Sequence, residues 1–183
     1  MTTPGQTVGP FFGYALPYPD DGQLVPAAHP GAVLLTGRVL DGAGDPVPDA
    51  LLEIWQPDPS GTIPQLAGSL RRDGSSFTGW GRAATDGAGR YAFTTLSPGP
   101  LAPGRAPFFA MTVLARGLLH RLFTRAYLPV DDVALTGDPL LSSLPLERRR
   151  TLLAVERDGT LHFDVRLQGA DETVFLRYPG EPV

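Results

Sequence analysis

Three histidines, a few loop serines, one strand glutamate and one strand arginine are the side chains that could do chemistry in this chain of 183 residues. His29, His120 and His162 never stand two or four residues apart, so no strand or helix presents a paired imidazole to a metal. His29 falls in an N-terminal arm and the other two in predicted strands, where a lone histidine reads as a surface or core-edge residue. Ser69, Ser75, Ser76, Ser142 and Ser143 lie outside any strand–turn–helix context, which argues against a nucleophile elbow and a Ser–His–acid triad. Glu53, two residues before Trp55, can point inward or outward from its strand, and an outward acid is the simpler reading. Asp41–Gly42, Asp73–Gly74, Asp86–Gly87 and Asp158–Gly159 are turn signals, without the alternating acidic ligands of a calcium loop. Arg125, in RLFTRAYLP, resists a bland account. A guanidinium among mostly apolar strand neighbours needs a carboxylate, an aromatic face or a bound anion.

Composition bounds what those residues can serve. A formal charge of -4 supplies no basic stripe for nucleic acid, and the absence of cysteine removes disulfides and thiolate metal sites. The first residues, MTTPGQTVGPFFGY, lack a basic segment followed by a long apolar one, and no stretch is long and apolar enough to span a bilayer. The expectation is a soluble, cytoplasmic protein with no nucleic-acid or membrane partner.

Twenty-two glycines and twenty prolines are too many for a helical bundle; they punctuate the chain about as often as short strands need turns. Residues 1–31 read as an extended arm, interrupted from Pro4 to Gly31 yet carrying Phe11, Phe12, Tyr14 and Tyr18, aromatics that call for a surface to pack on. Alternation begins with AVLLTGRVL, where Val33, Leu35, Gly37 and Val39 share a face. The turn DGAGDPVPD leads to a strand in which Ala50, Leu52 and Ile54 alternate with Leu51, Glu53 and Trp55. Residues 57–80 read as irregular. A strand around Tyr91 and Phe93 follows, then strands over 107–115 and 119–128, a short helical stretch near 138–150, and a hairpin turning at Asp158–Gly159. Short strands at this spacing predict an all-β sandwich or barrel, without repeats or a second domain. The domain reading is an arm, 1–31, packing at a partner interface, and a sandwich, 32–183.

Four blocks, TPGQTVGPFF, GRVLDGAGDPVPDALLEIWQPDPSG, GRAATDGAGRYAFTTLSPGP and HFDVRLQGADETVFL, together resemble the intradiol ring-cleaving dioxygenases. The resemblance runs in order from about Thr3 to Leu176 and implies a single prealbumin-like β-sandwich. In that family a catalytic chain holds ferric iron with two tyrosines, in motifs like (A/S)-G-x-Y and P-G-P-Y, and two histidines in H-x-H. The last spacing suits a strand, because residues i and i+2 share a face. Laid on this sequence, Ser60–Gly61–Thr62 is followed by Ile63, Pro98–Gly99–Pro100 by Leu101, and the histidine pair falls on Phe108 and Ala110. No metal is therefore expected in this chain.

The resemblance thus implies an alpha-type chain that binds no cofactor and pairs with a homologous iron-binding beta subunit in an alpha/beta hetero-oligomer. The beta subunit's Fe(III) would chelate protocatechuate, and dioxygen would open the ring between the hydroxyl-bearing carbons to give 3-carboxy-cis,cis-muconate, a step of aromatic catabolism. Carried over to substrate binding are Thr7, Gly9 and Pro10 of the T-x-G-P arm, and Arg125, which is also assigned an assisting catalytic role. The competing reading is a metal-free, transthyretin-like sandwich serving as a binding module, which has no reason to keep both the arm and Arg125.

Overall fold

The computed structural model describes residues 12–66, 73, 76–130 and 132–178. Its elements run α1 (Phe12–Ala15), β1 (Ala32–Leu40), β2 (Leu51–Trp55), β3 (Trp80–Ala84), β4 (Arg90–Leu96), β5 (Phe108–Leu114), β6 (Leu122–Tyr127), α2 (Asp132–Gly137), α3 (Pro139–Ser143), α4 (Leu146–Arg150), β7 (Val155–Arg157), β8 (Thr160–His162) and β9 (Val165–Arg166). Two sheets result. One has the order β4-β1-β8-β7, with β9 also on β1; the other is an antiparallel sheet in the order β3-β2-β5-β6.

Alternation decides the packing. Leu35 and Val39 of β1, Leu52 and Ile54 of β2, Phe93 of β4 and Phe109, Met111 and Val113 of β5 meet in one buried core between the sheets. Their alternate neighbours face away from that core, as a period of two requires, although Leu40, Leu51 and Thr112 are buried beneath other parts of the chain. The hairpin at Asp158–Gly159 forms as expected, both residues taking positive φ (51° and 74°) as a tight primed turn demands. Asp41 and Asp86 spend their carboxylates on turn N–H groups, those of Ala43 and Asp45 and of Ala88 and Arg90.

Several expectations change. Residues 80–84 form β3, although Trp-Gly-Arg-Ala-Ala has little strand propensity, because both of its ends lie in register with β2. His120 lies ahead of β6, which starts at Leu122, rather than within a strand. The helical stretch begins earlier, at Asp132, and breaks into three short pieces. Within the arm, Phe12, Leu24 and Val25 are buried, Leu24 joins the sandwich core, and Leu24 and Val25 donate their N–H groups to the Thr94 carbonyl. The stretch 12–31 therefore covers this chain's own sheets. Thr7, Gly9 and Pro10 lie outside the described residues. Among the described residues no helix is long and apolar enough to cross a membrane.

One glycine sets how closely β1 and the segment after β8 approach. A Cβ built on Gly37 would lie 1.8 Å from the Phe163 carbonyl oxygen and 2.9 Å from the Tyr91 hydroxyl. That hydroxyl donates to the same carbonyl at 2.5 Å. Gly37→Ala should lower stability by roughly 3 kcal/mol, the upper range for overpacking a core, and shift the urea unfolding midpoint accordingly. An unchanged midpoint would show that the strands can part there at no cost.

Candidate functional site

On the outer face of the β3-β2-β5-β6 sheet, register places Trp80 opposite Trp55, Trp55 opposite Ala110, and Ala110 opposite Arg125. One row of the sheet thus runs from two indoles through a methyl group to a guanidinium. Phe108 pairs with Tyr127 in the adjacent position. Together with Ile63 and Leu101 from loops, Trp55, Phe108, Ala110 and Arg125 surround a pocket of about 240 Å³, closed further by Gln56 and Tyr178. The four positions that the sequence matches to iron ligands are thereby brought together, and Arg125 with them.

The loops that carry Ile63 and Leu101 are clasped to each other. The Asp58 carboxylate accepts from the N–H groups of Ser60 and Thr62 and from the Ser60 hydroxyl. Gly99 donates its N–H to the Asp58 carbonyl at 2.9 Å. Gly61, at φ 85°, leaves room for the Pro100 carbonyl 2.2 Å from where a Cβ would stand. The Ser60 hydroxyl first, and then the Thr62 N–H, hold the Asp58 carboxyl below its ordinary pKa, so the clasp stays charged in mildly acidic solution. Buried Gln56 braces the same region by donating to the Leu96 carbonyl at 2.8 Å and accepting from the Thr95 hydroxyl at 2.6 Å.

Arg125 finds an aromatic face rather than a carboxylate. Its guanidinium carbon lies 4.2 Å from the centre of the Phe108 ring, and one terminal nitrogen donates to the Tyr127 hydroxyl at 3.0 Å. Among the described residues it forms no ion pair, and its buried Nε has no hydrogen-bond acceptor. The Tyr127 hydroxyl donates in turn to Asp138 at 3.1 Å, and Asp138 caps α3 by accepting from the N–H groups of Leu140 and Leu141. Burial pushes Tyr127 up to about 12; the neighbouring Arg125 pulls the other way without overcoming it. Tyr127 therefore stays a neutral phenol near neutrality and leaves the cation uncompensated.

The four positions matched to iron ligands offer a metal nothing to bind. Ile63, Leu101, Phe108 and Ala110 have hydrocarbon side chains, and among the described residues no group of three His, Cys, Asp or Glu could hold an ion. The residues present do not fit an iron centre. They fit a flat, largely apolar surface with one cation at its edge. Trp55, Ile63, Leu101 and Tyr178 are each between 46% and 53% exposed there, a cluster that water covers poorly.

The remaining candidates lie elsewhere. Glu53 is neither free nor core-directed; it sits on the outer face with Arg82, whose Nε and Nη2 approach one carboxylate oxygen at 3.0 and 2.5 Å. The His29 Nδ1 accepts from the Gly31 N–H, while His120 and His162 sit in separate surface clefts. The Ser142 and Ser143 hydroxyls donate to carbonyls of α3, and the Ser76 hydroxyl to Asp73, so none is poised as a nucleophile. Ser69 and Ser75 fall outside the described residues. Sequence reasoning did not anticipate that Trp55, Tyr178 and the Tyr127–Asp138 pair build the site.

A sandwich of these two sheets, with clasped loops at one end of the second, defines the class. A family model described as Dioxygenase matches residues 9–115, and the chain belongs to the intradiol ring-cleaving dioxygenases. It is 40% identical over 192 residues to the protocatechuate 3,4-dioxygenase alpha chain of Burkholderia cepacia, covering 95% of this chain and 96% of that one. It is 32% identical over 163 residues to the beta chain of the same enzyme, covering 79% and 68%. Among solved structures it resembles the dioxygenase domain of a dioxygenase carbohydrate-binding protein fusion from Streptomyces sp. SirexAA-E, with TM-score 0.59 and 28% identity over 92% of this chain and 99% of that domain.

The Tyr127 shift has a measurable consequence. Its folded pKa of about 12 exceeds the ordinary 10.0, so between those values the native chain keeps a proton that the unfolded chain has released. Stability is full below pH 10 and declines as pH rises toward 12. Tyr91, also raised well above its ordinary value, chiefly by burial, adds to the decline. In Tyr127→Phe the urea midpoint should fall less steeply across this range than in the parent; equal slopes would assign the whole effect to Tyr91.

Proposed function

We propose that this chain is the iron-free alpha chain of a protocatechuate 3,4-dioxygenase. The observation that carries the reading is a conjunction: near-full-length similarity to such an alpha chain, and a pocket in which Ile63, Leu101, Phe108 and Ala110 stand together without a metal donor while one unpaired cation remains. The ferric ion belongs to a homologous beta chain, and the two chains form an alpha/beta hetero-oligomer in the cytoplasm. When bound there, the iron would supply Lewis-acid activation of the chelating protocatechuate for ring opening by dioxygen between the two hydroxyl-bearing carbons, to 3-carboxy-cis,cis-muconate.

This chain's own residues shape the cavity. The exposed cluster of Trp55, Ile63, Leu101 and Tyr178 offers the beta chain an apolar contact, and its burial on association favours the pair. Arg125 supplies positive charge and free N–H donors toward the substrate's carboxylate, and the Phe108 ring and Tyr127 hydroxyl hold it in one orientation. Thr7, Gly9 and Pro10 of the 1–31 arm are assigned to substrate binding in the partner's cavity, as the family resemblance implies. Gly9 permits close backbone approach to a planar ring, and Pro10 fixes an extended course.

Purified alone, the chain should contain no iron and consume no oxygen with protocatechuate; co-expressed with its beta chain, it should yield an iron-loaded complex that does both. An active, iron-bearing single chain would sink the proposal. In the complex, Arg125→Ala should lower kcat/KM roughly tenfold to a hundredfold, as losing a charge-assisted hydrogen bond worth about 1.5–3 kcal/mol implies. Unchanged kinetics would remove Arg125 from the substrate cavity.

A further inference from the structure

The opposite face of the sandwich carries a second feature that the dioxygenase reading does not use. A cleft of about 750 Å³ lies over the outer face of the β4-β1-β8-β7 sheet, lined by Arg38 of β1, Arg90 of β4, Arg157 of β7, Arg166 of β9 and Arg150 of α4. Three carboxylates share it, Glu147, Asp164 and Asp171. The cleft is therefore net positive on a chain whose formal charge is -4, and every cation of the chain is arginine, since the sequence has no lysine.

Pairing within the cleft is incomplete. Asp164 is taken by Arg38, accepting its backbone N–H at 2.8 Å and pairing with its guanidinium at 3.5 Å. Among the described residues, Arg90, Arg150, Arg157 and Arg166 form no ion pair and no side-chain hydrogen bond. Strand register also sets Arg38 directly opposite Arg90, where like charges repel. Five guanidinium groups lining one cleft, four of them without an ion pair among the described residues, suit an anion that presents several carboxylate groups, each able to accept two parallel N–H bonds. The volume is that of a small-molecule site rather than of a single inorganic ion.

We infer that this cleft binds a small polycarboxylate, one with two or three carboxylate groups spread over an open chain. If the proposed function holds, the ring-opened tricarboxylate product has this chemistry, and the cleft would be a product-sensing site. That identification rests on the proposed function; the binding itself does not.

The test is calorimetric titration of the purified chain, and of the alpha/beta complex, with tricarballylate, inorganic phosphate and acetate. Tricarballylate should bind both preparations one to one and weaken as salt rises, while acetate should not bind. In the double variant Arg150→Gln/Arg157→Gln, whose altered side chains are both exposed, affinity should fall at least tenfold while the unfolding midpoint stays put. Arg125→Ala, on the other face, should leave binding intact. Phosphate binding without tricarballylate binding would overturn the polycarboxylate assignment. Absence of binding, indifference to the double variant, loss with Arg125→Ala, or loss on assembly with the beta chain would each overturn the site. None of these readings depends on iron content or oxygen uptake, so failure here and failure of the dioxygenase proposal are told apart.

Discussion

A guanidinium held under an aromatic ring, with no carboxylate to answer it, is the constraint around which the functional end of this molecule is arranged. Arg125 is half-buried, and a cation taken from water without an anion must be compensated elsewhere. Phe108 contributes a cation–π contact of about 0.5–2 kcal/mol, depending on its desolvation, and Tyr127 an oxygen acceptor. Tyr127 can be buried only because Asp138 accepts its proton donor, and Asp138 is itself held by the first N–H groups of α3. Tyr127 and Leu141 of α3 meet in a second hydrophobic cluster, which packs the helical excursion against this end of the sheet. Charge, strand and helix layer are therefore one connected structure.

The frame around the pocket does not depend on the side chains that point into it. Gly61 and Gly99 allow the two loops to touch through backbone atoms, and Asp58 fixes the first loop through its own N–H neighbours. Positions 63 and 101 are held in place by residues before them, so their side chains can change without moving the loops. A chain can thus carry hydrocarbon at those positions and keep a shaped cavity. The pocket offers hydrocarbon at positions 63, 101, 108 and 110, with one positive charge beside it.

The sandwich was legible where a local pattern carried the information. The alternation through Val33–Val39 and Leu52–Ile54, and the Asp158–Gly159 turn, are short-range signals, and the structure follows them. β3 was not legible, because Gly81 and the alanines following Arg82 say little about strands; its place comes from pairing with β2 some 29 residues away. The parallel pairing of β8 and β9 with β1 is likewise non-local. At the site, the need of Arg125 for a partner could be read from its apolar neighbours, whereas the answer, Phe108 with Tyr127 and Asp138, required the β5–β6 register and the cap of α3. The arginine cleft escaped notice for the same reason: its members run from residue 38 to residue 166 and meet only across one sheet.

Distribution of charge gives the two faces their separate meanings. A chain of net charge -4 repels a carboxylate from a distance, so an anion is drawn in only where local cations outweigh that field. Among the described residues, two places gather cations without matching anions. One is the apolar pocket, where a single cation with low-dielectric walls acts strongly on whatever is desolvated beside it. The other is the open cleft, where several cations act weakly through water and depend on number and bidentate geometry. The first arrangement favours a flat ring bearing one carboxylate, and the second a flexible chain bearing several. The core between the sheets separates them, so occupancy of one changes the other only through the folded scaffold and not through direct contact.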